Sequence, residues 1–257
     1  MLKTIVITAG GTSEKIDDVR TITNMSTGKL GATICNTILD ENSQDIERIY
    51  YVCSATSQKP KESDKITTII VKGTYDLKEK VEDLLNSVKV DFFIHSMAVS
   101  DYTTDYVSTV GRLSEEIADK FWEVKDSITK DELSNLIHLI VECPERKIST
   151  DKKMSSKESG MIIKLKQTPK VISIIKELQP ELILIGFKLL SDVTQDELIK
   201  VASNLMRHNN CDYVVANDLA DIKRGKHNAI IINKHGEETL ISGKDAIAYG
   251  IRDIVKG

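Results

Sequence analysis

Apolar residues fall into short runs along this chain: TIVI at 4–7, IYYVC at 49–53, TTIIV at 67–71, FFIH at 92–95, LILI at 182–185 and YVVA at 213–216. Each run has strand length and turn-like flanks. Helical patterns separate them at 29–40, 75–88, 170–178 and 195–208. Strands that are continuously apolar, rather than alternating, are those buried on both faces, so the pattern predicts a Rossmann-like, doubly wound α/β fold with a mostly parallel sheet. The tail predicts two short strands joined at His235-Gly236, followed by an amphipathic helix that closes the sheet edge. Between 103 and 168 the alternation stops and charge dominates, and we read an inserted arm within a single domain spanning 1–257.

Composition narrows the function classes. A length of 257 residues is ample for an enzyme-sized core. The formal net charge of -4 supplies no field for capturing nucleic acid or a membrane surface, although local lysine clusters can still meet phosphates. Cys35, Cys53, Cys143 and Cys211 are far apart and form neither a disulfide framework nor a zinc-spaced block. With no signal-peptide pattern and no apolar run of about 18 residues, the expected setting is the cytoplasm.

The first strand runs into Gly10-Gly11, and Gly28 and Gly31 flank the start of the first helix. Glycine turns leave backbone N–H groups open to an anion, and a helix N-terminus adds a favourable dipole. The spacing excludes a Walker A loop, because Thr23 and Leu30 stand where glycine and Ser/Thr are required. It also lacks the third glycine of the dinucleotide fingerprint. The fold alone leaves two alternatives, an oxidoreductase using NAD(P) or flavin and a nucleotide-binding module without turnover.

Several blocks decide among these: GGTSEKIDDVRTITNMSTGKLG (10–31), AVSDY (98–102), KMSS (153–156), LKQTPKVI (165–172), IGFKL (185–189) and VVANDL (214–219). In this order they resemble the phosphopantothenate–cysteine ligase family of coenzyme A biosynthesis. The resemblance is to the stand-alone form, without the flavin-dependent decarboxylase to which the ligase is often fused. It implies a ligase that joins 4'-phosphopantothenate to cysteine through an acyl-nucleotide, with CTP or ATP as cosubstrate, Mg²⁺, and no flavin in this chain. It further implies a homodimer built through the arm and a separate decarboxylase as partner.

Residue by residue, the resemblance places Asn24 beside the activated carbonyl and Lys153 at the reacting phosphate, as the catalytic pair. A lysine is a point charge suited to a leaving phosphate, and an amide both donates and accepts. Gly10, Gly11, Ser26, Gly28, Ala98, Asp101, Tyr102, Lys166, Phe187 and Lys188 join Lys153 as nucleotide-binding candidates. Arg20, Asn24 and Asn217 are the substrate-binding candidates, and Asp101 is the candidate for Mg²⁺. A purely structural reading stands beside several of these: Ser26 or Thr27 as the helix N-cap, Asp101 as an Asx-turn residue, and Phe187 as core. None of His95, His138, His208, His227 and His235 sits in a motif with a nucleophile, and none receives a catalytic role.

Overall fold

The computed structural model describes residues 2–155 and 157–257. Its elements in chain order are β1 (Lys3–Ala9), β2 (Ser13–Lys15), β3 (Thr21–Thr23), α1 (Lys29–Asn42), β4 (Ile46–Ser54), β5 (Ile66–Val71), α2 (Thr74–Ser87), β6 (Phe92–His95), β7 (Tyr102–Thr109), α3 (Val110–Val124), α4 (Lys130–Glu142), β8 (Met161–Gln167), α5 (Val171–Leu178), β9 (Ile183–Leu190), α6 (Gln195–Asn209), β10 (Tyr213–Asp218), α7 (Leu219–Lys223), β11 (Asn228–Asn233), β12 (Glu238–Ser242) and α8 (Lys244–Lys256).

Two compact units emerge. The larger comprises Met1–Ser13, Thr23–Ser100 and Pro169–Gly257, and holds an eight-stranded sheet in the order β12-β11-β10-β9-β6-β1-β4-β5. The six strands from β10 to β5 run parallel, whereas β11 and β12 are antiparallel additions, with β12 at the edge. The chain steps outward from β1 to β4 and β5, then returns to β6 on the other flank of β1. That reversal is the switch point at which open α/β sheets bind ligands.

The double winding follows from alternation along buried strands. On β1, Ile5 and Ile7 join the core that α1 and α8 cover with Ile34, Ile38, Ile247 and Ile251. Val6 points into the opposite core, covered by α2, α5 and α6 through Leu77, Val81, Ile175 and Ala202. Caps delimit these helices: Thr194 accepts from Glu197 N at the start of α6, and Asn210, in the left-handed region at φ 50°, ends it.

Three sequence expectations change. The N-cap of α1 is Gly28 at φ 73°, with no side-chain cap, rather than Ser26 or Thr27. The apolar runs at 182–185 and 213–216 predict strands that stop at Ile185 and Ala216. Instead β9 and β10 stay paired as far as Leu190 and Asp218, so Phe187, Lys188 and Asn217 lie inside strands. The apolar run at 182–185 stops short of Gly186, but that glycine stays in the strand through its pairing with His95 and Val214, and Cys211 Sγ and the Ile172 side chain crowd the space a Cβ would take.

The smaller unit is Glu14–Ile22 with Asp101–Thr168. In it β7 and β8 form an antiparallel ribbon, and α3 packs with α4. Thr129 and Glu132 close a capping box at the start of α4. No helix among the described residues is long and apolar enough to cross a membrane.

His95, at the end of β6, is buried, shares a 2.9 Å hydrogen bond between Nδ1 and Thr8 Oγ1, and has its pKa pushed down to about 4 by burial. The folded protein therefore resists a proton that the unfolded chain accepts near pH 6.5. Stability should be complete above that value and fall by roughly 3 kcal/mol as the pH drops towards 4. Urea midpoints between pH 7 and 4.5 check this, with His95→Gln expected to flatten the slope by about one proton.

Candidate functional site

In the larger unit, the loops leaving β1 and β6 knit together at the switch point. Ala98 N donates to Gly10 O at 2.8 Å, Thr12 N donates to Ala98 O at 3.2 Å, and Gly11 and Ala98 form a parallel bridge. Asn24 adds a third strand of contacts: its Nδ2 donates to Ala98 O at 3.1 Å and its backbone N to Thr12 O at 3.4 Å. Thr12 Oγ1 in turn accepts from Ser100 N at 2.9 Å. Gly10, Gly11, Asn24 and Ala98 are thus brought together, and Asn24 itself is exposed. Ser26, two residues on, donates its N–H to Asn24 O.

Gly10 has a reason for being glycine that involves no ligand. It sits at φ 85°, and an added Cβ would lie 1.7 Å from Ser57 Oγ. Ser57 is buried and shares a 2.5 Å hydrogen bond with Ser54, so the loop after β4 closes the back of the turn. Nothing in the sequence pattern distinguishes these two serines from ordinary loop polar residues. Thr12 was legible only as a member of the first block.

Cationic groups collect where α1 and α8 begin. Burial, then the charges of Lys244 and Lys29, hold His227 below its ordinary pKa. Lys29 and Lys244 are the first residues of these two helices, so positive side chains reinforce the positive helix ends. Neither Lys244 nor His227 was singled out from the sequence.

Phe187 is half-buried against the core beneath α1 and α8, and Lys188 follows it on β9. Asn217 is buried and donates through Nδ2 to Asn228 O at 2.9 Å, tying β10 to β11. A separate cavity of about 490 Å³, lined by Asp192, Leu198, Asp218, Arg224, Ile230 and Leu240 among others, includes no candidate residue. The donor-rich loops after β1 and β6 carry more chemical information than that concavity, because they converge at the switch point.

The smaller unit has its own cluster. Asp101 and Tyr102, at the entry to β7, are exposed, and Asp101 O accepts from Thr168 N at 3.1 Å. Lys166 pairs with Asp105 at 3.4 Å, and Lys164 bridges Asp105 and Glu142. Burial pushes the Asp105 pKa up, but hydrogen bonds from Lys164 and Lys166 and their charges outweigh it and leave the carboxyl below its ordinary value. Lys153 is exposed and has no carboxylate partner among the described residues. Ser156, the last residue of the KMSS block, lies outside the described residues. Arg20 turns its guanidinium onto Met154 O at 3.2 Å and Met161 Sδ at 3.9 Å. No group of three or more His, Cys, Asp or Glu side chains suited to a metal occurs among the described residues.

With this geometry in view, similarity to known proteins is informative. The family described as DNA/pantothenate metabolism flavoprotein C-terminal domain matches residues 2–126 and 145–257. The chain belongs to that family. The segment left unmatched, 127–144, contains α4. A crystal structure of the DNA/pantothenate metabolism flavoprotein from Streptococcus pneumoniae is 33% identical, covering 100% of this chain and 99% of that one with a TM-score of 0.77. Curated relatives are the coenzyme A biosynthesis bifunctional proteins CoaBC of Thermococcus kodakarensis and Methanocaldococcus jannaschii. The first is 25% identical over 90% of this chain and 45% of its own length, the second 26% identical over 98% and 50%. The chain therefore spans about half the length of the curated relatives it matches. The fold alone is shared with a Cab2 mutant solved in complex with phosphopantothenate-cysteine, at 15% identity and a TM-score of 0.62 over 98% of this chain and 87% of that one.

The packing behind Gly10 yields a prediction. Gly10→Ala adds a Cβ in the left-handed region and drives it into Ser57, and should destabilise the protein by about 2–5 kcal/mol in urea unfolding. An unchanged midpoint would mean that the loop after β4 is free to move away.

Proposed function

We propose that this chain is a phosphopantothenate–cysteine ligase. The observation that carries the proposal is the junction of Gly10, Gly11, Asn24 and Ala98 at the switch point of a chain that matches the family over nearly its whole length. The naming of the curated relatives as coenzyme A biosynthesis proteins supports it, as does the phosphopantothenate-cysteine bound by the Cab2 mutant.

The reaction proceeds in two steps. The carboxylate of 4'-phosphopantothenate attacks the α-phosphate of a nucleoside triphosphate, CTP in our reading with ATP as the alternative, and pyrophosphate leaves. The amine of cysteine then attacks the acyl-nucleotide carbonyl, the amide forms, and the nucleoside monophosphate departs. Neither step needs a protein nucleophile. What each needs is orientation and donors where negative charge develops on phosphoryl and carbonyl oxygens. Asn24 is exposed and held by its own amide to Ala98 O, which suits it to present its remaining polar capacity to the acyl carbonyl. Lys153, exposed and without an acidic partner among the described residues, suits the phosphoryl group. Gly10, Gly11, Ser26, Gly28, Ala98, Tyr102, Lys166, Phe187 and Lys188 are assigned to the nucleotide, and Arg20 and Asn217 to the phosphopantothenate.

Mg²⁺ fits this donor set only as an ion carried largely by the nucleotide phosphates, with Asp101 as a protein carboxylate, because Mg²⁺ commonly takes one or two carboxylates and keeps its waters. When bound it neutralises phosphoryl charge. The same reading includes a homodimer formed through the arm, a separate decarboxylase acting on the product, a cytoplasmic setting, and no flavin in this chain.

Pyrophosphate release, measured with CTP or ATP and with or without 4'-phosphopantothenate and cysteine, tests the proposal. Release that requires phosphopantothenate, with monophosphate appearing on addition of cysteine, is expected, and no release with either nucleotide refutes it. Asn24→Ala and Lys153→Ala should each lower kcat about 10²–10³-fold, the cost of removing one positioned donor. Both side chains are exposed, so their melting temperatures should stay near that of the parent.

A further inference from the structure

The segment that bears Lys153 has neither helix nor strand from Lys147 to Gly160 among the described residues. Between Glu145 and Gln167, Met154 is the one described residue that is buried. Its backbone is gripped on both sides from the turn at 16–20. Met154 N donates to Asp17 Oδ2 at 3.1 Å, and Arg20 Nη2 donates to Met154 O at 3.2 Å.

The grip is itself rigid. Ile16 N donates to Arg20 O at 2.9 Å, which closes the turn. Asp17 Oδ1 accepts from Val19 N at 2.8 Å and Arg20 N at 2.7 Å, and Arg20 Nε lies 3.7 Å from Asp17 Oδ2. Burying a carboxylate is unfavourable, and three backbone N–H groups and a guanidinium offset it here. Burial raises the Asp17 pKa, but the N–H donors of Val19, Met154 and Arg20 and the Arg20 charge outweigh it and leave the group below its ordinary value. A fully covered side chain is thus committed to holding one peptide unit of an otherwise exposed coil.

We propose that Asp17 and Arg20 are positioning residues that fix Lys153 by clasping the backbone of Met154. The clasp selects among the lysines of this segment. Lys153 adjoins the gripped residue, whereas Lys152 is one peptide further away and Lys157 lies three residues beyond. This inference rests on the reading of Lys153 as the phosphoryl-contacting residue, and it gives Arg20 a structural task beside the phosphopantothenate contact assigned to it above.

Limited trypsin digestion mapped by mass spectrometry tests the clasp without reference to activity. Asp17→Asn keeps the side chain's size and removes its charge. It should speed cleavage after Lys152, Lys153 and Lys157 by about tenfold or more while cleavage elsewhere is unchanged, since local opening exposes only that segment. Arg20→Lys, which retains a cation but loses the fork, should give an intermediate rate and covers the case in which Asp17→Asn fails to fold. Equal cleavage in parent and variants overturns the proposal. On the activity side, Asp17→Asn should lower kcat for pyrophosphate release about 10- to 100-fold with KM for the nucleotide little changed. In the Lys153→Ala background it should cost nothing further, because both act through one group. Losses that multiply in the double variant overturn the positioning role. Absence of pyrophosphate release in the parent refutes the ligase reading, while the digestion still judges the clasp.

Discussion

The main chain leaving β1 has to run within hydrogen-bonding distance of the main chain leaving β6, and much of the larger unit is arranged around that requirement. The two strands are neighbours only because the chain reverses direction across the sheet after β5. At the crossing, Gly10 O, Thr12 N and both polar groups of Ala98 are satisfied by one another rather than by water. A side chain at Gly11 would meet Asn24 O at 2.5 Å, and one at Gly31 would meet Ala9 Cβ at the same distance. These three glycines are therefore explained first by close packing, against backbone at Gly11 and against side chains at Gly10 and Gly31. Any anion held there uses a turn that packing has already shaped, and preorganisation of that kind makes donors effective against developing charge.

The smaller unit solves a different problem. Among its described residues the buried apolar side chains are few: Tyr106, Val107, Leu113, Ile140, Pro144 and Met154. With so little area to bury, its loops are fixed by carboxylates turned inward. Glu116 on α3 accepts from Glu145 N and Arg146 N, both at 2.9 Å, and holds the turn after α4. Asp17 does the same for Met154. Removing such a group leaves the backbone donors it served unsatisfied, so each position is more sensitive than its loop location suggests.

How much of this was legible in the sequence varied with the kind of interaction. The parallel strands and their helices could be read because burial on both faces leaves continuous apolar runs, as in IVI of β1 and FFI of β6. The tail could be read because His235-Gly236 separates two short apolar stretches and α8 repeats Ile247, Ile251 and Val255 at helical spacing. The end of β9 could not. Pairing with β10 carries Lys188 and Leu189 into the strand, and nothing local to those residues records their partner. The site behaved in the same way. Gly10, Asn24 and Ala98 share motif blocks, but Ser57, which fixes the turn from behind, lies in a loop with no pattern of its own. Asp17 stood inside a recognised block and was still missed, because its partner is a backbone N–H 137 residues away.

The proposed chemistry suits these constraints. Acyl-nucleotide formation and its aminolysis need charge stabilised at oxygens, and they do not need a side chain to become covalently attached. A site built from close-packed loops has backbone donors, small residues and amides to offer, and little room for a nucleophile with a supporting base. His95 illustrates the exclusion: it stands beside the switch point, yet its Nδ1 is taken up by Thr8 and burial keeps it neutral over the ordinary pH range. In the proposed reading the charge comes from Lys153, and an exposed lysine on a coil is useful only if its backbone is held. In that reading the two demands are met separately, by glycine packing for the donors and by the buried Asp17 carboxylate for the lysine.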